Sequence, residues 1–234
     1  MNIWYLYLYF IISYLFYWFL PSEKIILLLS KQEPSKEILS KRSVFLRKFT
    51  GFFLFGPAAM LAAYLLGGYT PAQLGLLFPS GLNSLLFLLI PTAVTVPFML
   101  LRKAESFETD FYPQVRLTEW RITDIFQNTL FWVLYLASYE FLFRGVLFFP
   151  FAANLGFFPA AVTGTVIYSS VHIPKNAKEA IIAIPYGMLL YYISWKTSSV
   201  FIPAVLHMEM ALINDCRSLQ INPEMKIIKK TSGI

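Results

Sequence analysis

The sequence predicts an all-α, polytopic integral membrane protein, a bundle of about seven transmembrane helices forming one transmembrane domain over residues 1–234, and three observations predict it. Of the 234 residues, 57% are hydrophobic and only 14% charged, where a soluble domain carries roughly 25% charged residues. Mean hydropathy is +0.60. Apolar runs near the ~20 residues that cross ~30 Å of hydrocarbon recur along the chain, beginning with Ile3 to Leu20. Inside lipid each backbone N–H and C=O must be paired within its own segment, so these runs read as helices. The short alternating segments of an outer-membrane barrel do not occur.

The elements follow in order. A first span over 3–20 ends at Pro21, and it has neither a basic leading region nor an A-x-A cleavage site, so it reads as a retained span. A second covers about 50–68 and stops at Gly67–Gly68. A third covers about 82–101 and contains Pro91 and Pro97. The fourth lies within 126–150, the fifth within 157–174, the sixth within 180–195 and the seventh within 199–216. The mixed-charge stretch from Arg102 to Asp124 has Trp120, Ile122, Ile125 and Phe126 near its end, a pattern expected to lie along the membrane interface as an amphipathic helix. Residues 217–234 form a cytoplasmic tail.

Charge distribution sets orientation. The net charge of +6 is concentrated in segment 21–49, read as a loop with Lys24, Lys31, Lys36, Lys41, Arg42, Arg47 and Lys48, and in a tail with Arg217, Lys226, Lys229 and Lys230. With the N-terminus out, seventeen basic residues fall on the inner side and only Lys196 on the outer. That asymmetry follows the positive-inside rule and places the C-terminus in. Basic residues flanking spans meet lipid headgroups, so membrane lipid is the expected contact and nucleic acid is not. A prokaryotic inner (plasma) membrane is the expected location. The single Cys216 gives no disulfide and no redox information.

The candidate site lies in the polar residues that interrupt the apolar runs. Charges in hydrocarbon cost a few kcal/mol each, and they persist where they face a bundle interior and pair. Glu140 and Arg144 stand four apart on the fourth span and so share a helix face. The two histidines of the protein are His172, late in the fifth span, and His207, inside the seventh. Ala211, Asn214 and Asp215 share the face of His207, whereas Glu209 points elsewhere. If the fourth span starts at the inner interface near 118–131, Glu140, His172 and His207 all reach the inner half of the bilayer. A carboxylate with two imidazoles can activate water for attack on a peptide carbonyl. Zinc held by Glu140, His172 and His207 is the rival chemistry, although H-E-x-x-H spacing and a cysteine cluster are absent.

These residues resemble the CAAX-protease and bacteriocin-processing (Abi) family of intramembrane endopeptidases. Tyr139-Glu140-Phe141-Leu142-Phe143-Arg144-Gly145 aligns with its Glu-Glu-x-x-x-Arg motif. Tyr168-Ser169-Ser170-Val171-His172 aligns with the aromatic-x-x-x-His motif, and His207-Met208-Glu209-Met210-Ala211 with His-x-x-x-Asn. The resemblance covers roughly residues 110–216 and implies hydrolysis of a membrane-embedded or lipidated, CAAX-like peptide that enters from the bilayer. The site residues it implies are Glu140, Arg144, His172, His207 and Asp215. Two positions depart from the pattern: Tyr139 replaces the first Glu, the usual water-activating carboxylate, and Ala211 replaces the Asn. A subgroup with a single Glu before Phe-Arg-Gly is closer, with Lys175, Glu179 and Asp215 matching its loop and later Asp. Glu179 then offers a substitute carboxylate. Two readings stay open beside proteolysis: a binding or immunity-type protein on the same scaffold, and a small ion-coupled transporter, which the lack of an inverted repeat disfavours.

Overall fold

Apolar, Ala- and Leu-rich runs take up helix because lipid offers their backbones no other partner, and the structure, a computed structural model, is accordingly built of helices. It describes residues 3–104, 109–173 and 177–228. Among these, ten α-helices follow one another: α1 Trp4–Trp18, α2 Ser22–Leu29, α3 Lys36–Phe55, α4 Pro57–Gly67, α5 Gly81–Leu101, α6 Ile122–Glu140, α7 Phe149–Leu155, α8 Phe157–Ser170, α9 Ala177–Thr197 and α10 Phe201–Ile221. A π-helical stretch, Phe141–Phe148, joins α6 to α7. Two three-residue strands, β1 Glu119–Arg121 and β2 Lys226–Ile228, pair in parallel.

Several boundaries differ from the expectation. The basic segment 21–49 is not a loop: it forms α2 and most of α3, and α3 runs on through Gly56 into α4 as one apolar span, Lys36–Gly67. At ~1.5 Å per residue those 32 residues are far longer than the hydrocarbon, so the charged first turns extend beyond it. Among the described residues, three continuous helical spans are long and apolar enough to cross a membrane: Lys36–Gly67, Gly81–Leu101 and Ile122–Leu155. A fourth is obtained if α1 and α2, bent by 59° at the break beside Pro21, count as one. Of the other expected spans, α8 has 14 residues, and α10 carries His207, Glu209, Asn214, Asp215 and Arg217 within its apolar run.

The amphipathic interface helix expected before residue 126 is also replaced. Glu119–Arg121 is a strand, and Trp120 is buried, donating its indole N–H to the Leu117 carbonyl at 3.0 Å. The segment after Arg217 is likewise docked: α10 continues to Ile221, and Lys226 donates its backbone N–H to the Thr118 carbonyl. The last stretch of the fifth span, from 174, and Lys175 lie outside the described residues.

The centre of the fold is the π-helical stretch, all eight residues of which are buried. Lipid gives no hydrophobic drive for helices to associate, so close packing over small residues must supply it. On α4, Ala59, Ala63 and Gly67 form a buried stripe at every fourth position, and α4 packs against α1 and the π stretch. Ala160 and Gly164 do the same for α8, which packs along α9. Phe10 of α1 meets Phe143 edge-on at 5.4 Å. Gly75, following a 3₁₀ turn at Ala72–Leu74, needs to be glycine twice over: its φ is +72°, and a Cβ there would fall 2.2 Å from the Phe149 ring. Its carbonyl accepts the Val200 N–H at 3.0 Å, which ties the start of α10 to this turn.

The α3–α4 joint generates a stability prediction. A Cβ at Gly56 would fall 2.6 Å from the Ser138 hydroxyl and 2.9 Å from the Phe52 carbonyl oxygen. Gly56→Ala is expected to lower the melting temperature in detergent, by the ~1–3 kcal/mol typical of overpacking. An unchanged melting curve would show that α3 and α4 do not meet α6 in this way.

Candidate active site

The helix–π junction of the longest apolar span sets two charges in the core. Glu140 is the last residue of α6 and Arg144 lies one turn on; both side chains are 0% exposed, and Arg144 Nη1 donates to Glu140 Oε1 at 3.0 Å. The expected pair is therefore formed. His207 of α10 joins it, with Nδ1 2.5 Å from the same Oε1. Oxygen Oε1 thus holds two partners, and the other, Oε2, has none among the described residues.

The guanidinium is kept in place by aromatic faces. Arg144 Cζ lies 4.3 Å from the ring centre of Tyr168 on α8 and 4.6 Å from that of Tyr191 on α9. Cation–π contacts of this kind strengthen when water is excluded. Tyr191 approaches α8 closely enough that a Cβ on Gly164 would fall 2.5 Å from its hydroxyl oxygen. Local spacing along α8 does not reveal Tyr191 as the ring its small residues admit, because the partner of that ring, Arg144, lies 47 positions earlier.

Both histidines present the same ring nitrogen. His172 Nδ1 is 2.7 Å from the Tyr168 carbonyl. A carbonyl only accepts, so Nδ1 carries the hydrogen and Nε2 of the neutral ring is the acceptor. His207 reaches the same tautomer through Glu140: an oxygen ion-paired with Arg144 acts as acceptor, Nδ1–H donates to it, and Nε2 is left as the acceptor. A carboxylate behind a histidine fixes ring orientation in this manner.

Two chambers share a wall at these rings. The larger, about 540 Å³, is walled by aromatic residues such as Tyr17, Trp132 and Tyr139 and reaches the charged side chains Arg47, Lys48 and Arg116. The smaller, about 180 Å³, includes Glu179, Tyr186 and Asn214. Tyr112, His172, His207 and Ala211 line both. Glu179, Asn214 and Lys178 line the smaller chamber together with both histidines. Ala211 leaves only a methyl at the junction. Tyr139, where the family motif has its first Glu, stacks on Phe143 at 4.4 Å and meets His207 edge-on at 5.8 Å.

Other expected site residues are placed differently. Glu140 lines neither chamber and sits behind His207. Asp215 is also absent from both walls. Its Oδ2 accepts from Asn128 Nδ2 at 2.6 Å, and both residues are buried. Two helical turns carry it ~12 Å along α10 from His207, into a structural polar cluster on α6 near Lys48, whose ammonium lies 3.4 Å from the Trp132 ring centre. The metal set of Glu140, His172 and His207 does not assemble either: among the described residues no three His, Cys, Asp or Glu side chains converge in a way that could hold an ion, and His207 Nδ1 is committed to Glu140. Glu209 faces a partner helix, accepting from the Thr92 hydroxyl of α5 at 2.8 and 3.1 Å.

Residues 121–213 match the family model described as type II CAAX prenyl endopeptidase Rce1-like. The match runs from the strand before α6 through His207, takes in Glu140, Arg144 and His172, and agrees with the resemblance to the CAAX-protease family. At the level of the family it supports a CAAX-type intramembrane protease, and the apolar helices and the match together make the chain an integral membrane protein. No curated protein and no solved structure matches the chain.

The buried pair predicts a non-additive response to substitution. Arg144→Met leaves a carboxylate in the core without its cation and is expected to cost ~3–5 kcal/mol. The double variant Glu140→Gln/Arg144→Met is expected to melt above that single variant in detergent. Additive losses would show that the two charges do not act as a pair.

Proposed function

We propose that the chain is an intramembrane endopeptidase that hydrolyses a peptide bond in a membrane-embedded or lipidated, CAAX-like peptide, with the two histidines and Glu179 acting in the chambers. The observation that carries this reading is the His207 Nδ1–Glu140 Oε1 contact of 2.5 Å, with the ring lining both chambers beside His172. Glu140 is then a positioning residue, not the base.

The proposed step is metal-free. A water beside both histidines, held by one O–H···O bond to Glu179, gives its other proton to His207 Nε2 as its oxygen bonds to the peptide carbonyl carbon. The imidazolium so formed is stabilised by Glu140, as a buried carboxylate stabilises a catalytic histidine. The Asn214 amide, on the smaller chamber's wall, donates to the carbonyl oxygen as it gains negative charge. The C–N bond then breaks as the proton on His207 passes to the departing amine, the remaining hydroxyl proton passes to Glu179 and on to solvent, and the products are a carboxylate and an amine. The substrate enters laterally from the bilayer, and the N-terminus-out, C-terminus-in arrangement puts the chambers toward the inner side. Tyr139 in place of the first Glu, and the burial of Glu140 away from both chambers, favour the alternative of a non-cleaving binding or immunity-type protein on the same scaffold.

Purified protein in proteoliposomes, given quenched fluorescent peptides with and without a prenyl group, tests the reading. His207→Ala and Glu179→Gln are each expected to lower turnover by ~10²–10⁴-fold, the usual contribution of a positioned acid or base. Glu140→Gln is expected to reduce turnover less than His207→Ala, and a chelator to have no effect. Full activity in both His207→Ala and Glu179→Gln would remove the assignment. No cleavage of any peptide by wild-type protein would favour the non-cleaving scaffold.

A further inference from the structure

Away from the chambers, the charged ends of the two longest spans enclose a groove of about 380 Å³, lined by Ile38, Lys41, Arg42 and Phe45 of α3 and by Gln127 and Phe131 of α6. Its depth follows from span length. The Lys36–Gly67 helix has 32 residues and reaches ~48 Å, about 18 Å more than the hydrocarbon is thick. Gly67 closes its apolar end, and the charges lie among Lys36, Glu37, Lys41, Arg42, Arg47 and Lys48. The excess, about 12 residues, covers Lys36 to Arg47, so Lys41, Arg42 and Phe45 all lie at the polar margin of the membrane, with Phe45 one turn nearer the hydrocarbon.

Helix α6 is held at the same level by contacts at two heights. Lys41 Nζ pairs with Asp124 at 2.5 Å, and one turn deeper the rings of Phe45 and Phe131 stack at 4.3 Å with 15° between their planes. The groove thus has a cationic, hydrogen-bonding end toward water and an aromatic end toward the acyl chains. Asp124 offsets Lys41. Arg42 is exposed and enters none of the ion pairs or hydrogen bonds among the described residues. Of the groove's two lining cations, Arg42 is the one left without a counter-charge.

We propose that this groove is a binding site for the headgroup of a phospholipid with a single negative charge. Arg42 and the outer hydrogens of Lys41 take the phosphate oxygens, the Gln127 amide takes a headgroup hydroxyl, and the first acyl methylenes lie on Phe45 and Phe131. Basic pockets between membrane helices at headgroup level recognise acidic lipids by this combination of charge and apolar wall. The one net charge favours a phosphodiester monoanion over a polyphosphorylated headgroup. The site stands apart from the chambers and does not depend on what they catalyse.

Native mass spectrometry of the full chain, released from detergent and titrated with phosphatidylglycerol or phosphatidylcholine, tests it. Phosphatidylglycerol is expected to bind more tightly than phosphatidylcholine. Arg42→Gln is expected to weaken the anionic lipid alone by about five-fold, the effect of one basic residue near an acidic surface, whereas Arg42→Lys retains most of the preference. Phe131→Ala is expected to weaken both lipids. Arg42 is exposed, and melting curves establish that its variants fold. Equal affinity for the two lipids, or an unchanged preference in Arg42→Gln, would overturn the proposal. Displacement of the lipid by millimolar inorganic phosphate would identify a free-phosphate site and overturn it as well.

Discussion

A guanidinium with no exposed surface in the middle of a membrane bundle constrains everything around it. Arg144 is tolerated there because Glu140 offsets its charge and two tyrosine faces cover it, since water is not available to do either. Each requirement then fixes a neighbouring helix. Glu140 and Arg144 must share a face across the α6–π junction. Tyr168 and Tyr191 must come from α8 and α9, and those helices must approach closely enough that position 164 has no side chain. His207 of α10 completes the set by donating to the oxygen that Arg144 also holds. Four elements are thus registered to one another by a single buried ion pair.

The same constraint decides what Glu140 does. Held by Arg144 and His207 and absent from the walls of both chambers, the Glu140 carboxylate stands behind the His207 ring, where the proposed reading makes it a positioning group. The group left facing the chambers is His207, with His172 across from it in the matching tautomer. Replacement of the motif's first Glu by Tyr139 reinforces this arrangement. Its ring stacks on Phe143 and abuts His207, and a chamber-facing carboxylate comes instead from Glu179 in the first turn of α9. The proposed chemistry therefore keeps the family's histidines and moves its carboxylate from one helix to the next.

Membrane position and function separate cleanly along the long spans. The apolar halves of α3–α4 and α6 build the core, while their charged first turns rise to the headgroups and form the second, lipid-facing groove. The basic residues of α3 lie on a helix and not on a loop, so they are presented at fixed spacings. That fixed spacing turns a diffuse positive-inside bias into a shaped site.

How much of this was legible in the sequence follows from the range of the forces involved. The all-helical membrane class, the apolar runs, the Glu140–Arg144 pair and the family motifs are set by neighbours within a turn or two, because lipid compels local backbone pairing and an i,i+4 charge pair needs no other helix. The same local logic failed at segment 21–49, where charge was taken for loop although a helix longer than the bilayer carries charge outside it. It failed again near Trp120, where a strand pairs with residues a hundred positions later. Only the tertiary structure decided that Glu140 lies behind His207, that Asp215 pairs with Asn128 far from the histidines, that Tyr191 covers Arg144, and that Glu179 lines the chamber. These are choices among faces of packed helices. Spacing along one helix states which residues share a face, but which face meets which neighbour depends on the fit of small and aromatic side chains from segments distant in the chain.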